Sequence, residues 1–146
     1  MDYSERVAML HRLRDMLVQQ RAKFQEYLDI LDNEERAIRD RDVEALEWYV
    51  QLETSVLGEI HAFQKVIRPL ESLYRSAYPH EESRIPPLRA SVARLRERVL
   101  ERNEQNRALM RERIDELKRE IRELRIPRAG TSPYRAAESR LVDITT

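Results

Sequence analysis

The chain has 146 residues, enough for one ordinary domain or one elongated helical one, and its 27 basic and 27 acidic side chains cancel to a formal charge of zero. That balance argues against a general binder of nucleic acid or of a membrane surface. Charged residues at 37 %, aromatics at 6 % and two glycines argue against sheets around a broad core, and the absence of cysteine excludes a disulfide frame or a thiolate metal site.

The first residues, Met1-Asp2-Tyr3-Ser4-Glu5-Arg6, lack the basic-then-apolar pattern of a signal peptide. No apolar run approaches the roughly 20 residues of a membrane span, so the expected location is the cytoplasm. Ser4 is placed to cap a first helix, with Asp2 and Glu5 near its positive end. The apolar stripe runs Val7, Leu10, Leu13, Leu17, Phe24, Leu28, Leu31 and Ile38, with Gln20 or Arg21 and Glu35 in the longer gaps. Asp40-Arg41-Asp42 favours a tight turn, because either aspartate can accept from the free N–H groups of a following helix, although with no Gly or Pro there a continuous helix also fits the sequence.

The second helix carries Leu46, Val50, Leu57, Ile60, Phe63, Ile67, Leu70 and Tyr74, and Pro69 predicts a kink or an early stop near its end. Trp48 and Tyr49 are neighbours, so one faces the core and the other water; Trp48 is expected to be the core anchor. Residues 76–87, with Pro79, Pro86 and Pro87, form the clear linker. Pro87 suits the first turn of a third helix, where its missing N–H costs nothing.

That third helix is the longest, about 39 residues and roughly 57 Å at 1.5 Å per residue. Its stripe is Leu88, Val92, Leu95, Val99, then Leu109, Leu117, Ile121 and Leu124. In the middle, where the rhythm calls for apolar groups, stand Arg102 and Asn106, with Asn103 alongside. Two readings fit: a buried polar layer that sets helix register, or a loosening of the pairing that leaves a surface for another protein. Residues 26–47 carry nine acids and three bases, a balance of −6, and residues 84–128 carry fourteen bases and eight acids, a balance of +6. These fields complement each other if the first turn packs near the third helix; otherwise both are solvated faces. Beyond Ile126-Pro127 the chain is rich in helix breakers and sparse in apolar groups, which predicts a flexible tail.

Convergent reactive groups are missing. His11, His61 and His80 form no metal-binding signature, and Gly58 and Gly130 build no phosphate-cradling loop. No catalytic residue, cofactor or metal ligand is expected, and the chain is not expected to be an enzyme. The arginines of the third helix alternate with Glu97, Glu101, Glu104, Glu112, Asp115 and Glu116 at ion-pair spacing, unlike a phosphate-binding strip.

Three stretches resemble the FlgN-type flagellar export chaperones: Leu31-Asp32-Asn33-Glu34-Glu35-Arg36-Ala37-Ile38 followed by Asp42-Val43-Glu44-Ala45-Leu46; Asn103-Glu104-Gln105-Asn106-Arg107-Ala108-Leu109-Met110; and Pro133-Tyr134 after a breaker-rich linker. Glu53 departs from the family pattern, which often has lysine there, and Arg107 replaces a common glycine. The resemblance implies a small cytoplasmic chaperone, without enzymatic activity, that binds hook-associated subunits, prevents their premature assembly and delivers them to the export gate.

The expected fold is all-α: an elongated antiparallel helical hairpin, or bundle of three long coiled-coil helices, with a flexible C-terminal tail. Residues 1–126 are expected as a single helical domain, with helices over about 3–39, 43–74 and 87–125, and residues 127–146 as the tail. Client-binding candidates are Asn103, Asn106, Leu109, Met110, Ile114, Leu117, Ile121 and Leu124, with Met110 lending adaptability. Tyr134, by resemblance, would contact the export gate, with Leu141, Val142 and Ile144 anchoring the tail on binding. The expected partners are hook-associated (junction) proteins and an export-gate component, with homo-oligomers possible in principle and neither nucleic acid nor stable membrane insertion involved. The alternative is a generic coiled-coil scaffold that oligomerises and has no client.

Overall fold

A computed structural model describes residues 1–80 and 85–125, and among them it contains three α-helices and no strand. The predicted tail, including Tyr134, Leu141, Val142 and Ile144, lies outside the described residues. The helices are α1 (Tyr3–Arg39), α2 (Val43–Ala77) and α3 (Ile85–Arg125). No described helix is long and apolar enough to cross a membrane.

Local chemistry explains the ends. Asp2, rather than Ser4, is the N-cap of α1: its carboxylate accepts from the Glu5 N–H at 2.8 Å, and Glu5 accepts from the Asp2 N–H at 2.8 Å, a reciprocal capping box. The predicted turn is present. Arg41 takes the left-handed conformation (φ 55°), and Asp42 caps α2 by accepting from the Ala45 N–H at 3.1 Å. Pro69 does not stop α2, which runs on to Ala77; its ring lies on the exposed face. At the C-terminal end of α2, buried Tyr74 stacks on Tyr78 with ring centroids 5.6 Å apart. Pro86 and Pro87 both sit in the first turn of α3, where no intrahelical partner is lost.

The chain divides into two compact units, residues 1–106 and 107–146. In the first, α1 and α2 run antiparallel. Cross-pairs Gln20–Gln64, Lys23–Glu59 and Tyr27–Glu53 advance along α1 as they retreat along α2. Two apolar clusters fill this unit. One joins Met9, Leu13 and Leu17 of α1 with Ile67 and Tyr74 of α2 and Ile85 of α3; the other joins Phe24, Tyr27, Leu28, Ile30 and Leu31 with Val56, Ile60 and Val99. Val92 of α3 packs against both. Between them Gln20, only 3 % exposed, donates to the Gln64 side-chain oxygen at 3.0 Å. Gln20 therefore fills the polar gap in the α1 stripe, and its amide is satisfied across the seam.

The seam of α2 differs from the predicted stripe in its first turns. Tyr49, Leu52 and Val56 face the core, whereas Val50 and Leu57 are exposed. Trp48 is 58 % exposed, so the expected core anchor is Tyr49 instead. Adjacent positions differ by about 100° around a helix, and α2 turns its Tyr49 edge toward α1.

The second unit contains the remainder of α3, through Arg125. Within it Arg113 and Glu116 form an i,i+3 ion pair at 2.7 Å.

Candidate functional site

The polar residues that interrupt the α3 stripe form a junction of three helices. Asn106 is 5 % exposed, and its amide nitrogen donates to the Leu31 carbonyl at 2.9 Å and to Glu34 Oε2 at 3.5 Å. One turn earlier, Arg102 donates to Asp32 at 2.8 Å and to Glu35 at 3.5 Å on α1, and to Gln105 at 3.0 Å on its own helix. The acidic end of α1 and the basic α3 thus meet at this point. Asn106 in a buried seam with satisfied donors acts as a register device for α3 against α1.

Glu34, not Glu35, is the buried acid here, at 5 % exposed. Burial pushes its carboxyl up to about 8. A hydrogen bond and charge repulsion from Glu53 on α2 act in the same direction, while the Asn106 donor opposes them. Glu53 also accepts from the Tyr27 hydroxyl at 2.6 Å. Near neutral pH, Glu34 is therefore a protonated acid sharing a site with Glu53. Among the described residues, Asn106 Oδ1 is buried without a partner, so the cluster holds one more acceptor than it satisfies.

The predicted client-binding residues separate into three groups. Asn106 faces α1 in the junction. Asn103 lines the end of a cleft of about 640 Å³ between α2 and α3, floored by Phe24 and Tyr27 of α1. The remainder lie in the second unit, where Met110, Ile114, Leu117, Ile121 and Leu124 follow steps of 4, 3, 4 and 3, one heptad-spaced face. Leu109, Met110, Ile114 and Ile121 are half-buried, Leu117 is 44 % exposed and Leu124 75 %. The α2–α3 cleft was not legible in the sequence. It arises from side chains of α2 and α3 eighteen or more positions apart, and its only advance signal was the polar interruption at Asn103.

The profile of the FlgN protein family matches residues 9–139. The chain belongs to the FlgN family. An uncharacterised protein of Treponema pallidum (strain Nichols) is 36 % identical over 132 residues, covering 90 % of this chain and 84 % of its own length. No solved structure matches. FlgN is a family of flagellar export chaperones rather than of enzymes, and membership gives this chain that role in general terms. Among the described residues, no group of three or more His, Asp or Glu side chains is arranged to hold a metal ion.

Proposed function

We propose that this FlgN-family protein is a cytoplasmic chaperone that holds hook-associated subunits, prevents their premature assembly and hands them to the export gate. The observation that carries the reading is the heptad-spaced face of α3 from Met110 to Leu124, on which Leu117 and Leu124 stand exposed. A client helix with one sticky face buries it against such a surface, and each leucine removed from water contributes roughly 1.5–3 kcal/mol. Met110 adapts the face to unlike clients through its unbranched thioether chain. In this reading Tyr134, Leu141, Val142 and Ile144 form the part that engages the gate, ordering when bound.

The test is titration of purified hook-associated subunits into the full chain by calorimetry. The double variant Leu117→Asp, Leu124→Asp should lose at least tenfold in affinity with its helicity unchanged. Undiminished binding would remove the face from the site. Failure of the unaltered chain to bind any such subunit, together with self-association through this face, would favour the coiled-coil scaffold.

A further inference from the structure

The α2–α3 cleft lies wholly within the first unit and shares no residue with the heptad-spaced face of α3. It extends from Leu57 to Glu71 on α2 and from Arg89 to Asn103 on α3. Fourteen residue steps of helix on each side give it a length of about 21 Å. A slot of that length matches the apolar ridge of a helix about four turns long, seated between α2 and α3.

Its chemistry is two-toned. Buried Phe24, Ile60, Ile67 and Val99 supply the floor, while Leu57 and Leu100 stand at the mouth, 39 % and 59 % exposed. The lips are basic. Arg68 on α2 and Arg96 on α3 are exposed and make no ion pair among the described residues. The single acid in the lining, Glu71, is already engaged by Arg89 at 3.2 Å, a bridge that ties α2 to α3 at one end of the cleft. Unpaired positive charge along both lips of an apolar slot selects carboxylates on either side of an apolar ridge.

We propose that the α2–α3 cleft is a second docking site, for an amphipathic helix of a partner protein whose apolar ridge is flanked by acidic residues. It does not rest on the client assignment, because the cleft and the candidate client face share no residue.

The probes are two fluorescein-labelled 18-residue helical peptides sharing one leucine ridge, one flanked by glutamates and one by lysines, titrated into the full chain by anisotropy. The glutamate peptide should bind at least tenfold more tightly than the lysine peptide. The double variant Arg68→Glu, Arg96→Glu should reverse that preference, and Leu100→Asp should weaken both. Amide shifts in NMR spectra should fall on residues 57–71 and 89–103. Leu117→Asp with Leu124→Asp should leave glutamate-peptide binding as it was, so that loss of the client reading and loss of this one are distinguishable. Equal binding of the two peptides, no binding of either, or shifts confined to 110–124 would overturn the proposal. It would also be overturned if removing residues 127–146 raised affinity tenfold and a synthetic 127–146 peptide competed, because the cleft would then be the seat of the chain's own tail.

Discussion

Neutralising Glu34 in place should remove a pH dependence that the unaltered chain carries. The carboxyl titrates near 4.5 when exposed and at about 8 in the folded chain. Between those values the folded state keeps a proton that the unfolded state has released. Unfolding free energy therefore falls as pH rises, with a limiting slope of about −1.4 kcal/mol per pH unit, and is flat outside the window. The whole interval sets a ceiling of about 5 kcal/mol. Glu53 is only half-buried, and water around its carboxylate softens the repulsion, so a loss of about 2–3 kcal/mol from pH 5 to pH 9 is expected. For a chain of this size that is a fall of roughly 10 °C in Tm. Urea unfolding followed by far-UV circular dichroism at each pH unit measures it. Glu34→Gln keeps the shape and a donor in the site but has no proton to lose. It should match the parent within about 1 kcal/mol at pH 5 and exceed it at pH 9. Glu53→Lys should flatten the slope by another route, because a cation beside Glu34 favours the charged form in the folded state. Parallel curves for the parent and Glu34→Gln would refute the reasoning, and Glu34 would then be ionised and solvated at neutral pH.

Three further outcomes follow from the same geometry. Asn106→Ala should cost about 1–3 kcal/mol in urea unfolding, because the Leu31 carbonyl and Glu34 lose a buried donor. Asp42→Ala should cost about 1 kcal/mol through loss of the α2 cap, with far-UV signal otherwise retained. Removing residues 127–146 should leave the melting curve of the first unit nearly unchanged while abolishing delivery to the export gate. A large stability loss would make the tail part of the core.

Periodicity carried the three helices, while the aspartates at Asp40-Arg41-Asp42 and the prolines of residues 76–87 marked the places where the chain turns, the first with a continuous helix still open. The interruption at Arg102 and Asn106 was also visible as polar residues on an apolar beat, and the register reading matches the bonds they make with α1. Neighbouring positions were harder. Glu34 and Glu35, or Tyr49 and Val50, differ by about 100° around the helix axis, and a short stripe does not resolve that difference. Trp48, expected inward, lies at the surface because the rotation of α2 that packs Tyr49 against the core turns it to water. The pairing of Glu34 with Glu53 was hidden for a different reason. Nothing in the hydrophobic pattern marks two acids, nineteen positions apart, as neighbours across the α1–α2 seam.

The Gln20–Gln64 pair also sets a limit on misalignment. If α1 slid by one heptad along α2 in one direction, Gln20 would face Leu57 and Gln64 would face Leu13 instead of each other. Two carboxamides left without mates in this part-buried seam cost on the order of 1–3 kcal/mol together. The crossbar thereby opposes slippage in that direction. Under the proposed client-binding role, such a crossbar keeps α1 and α2 in frame while another face of the chain receives a foreign helix.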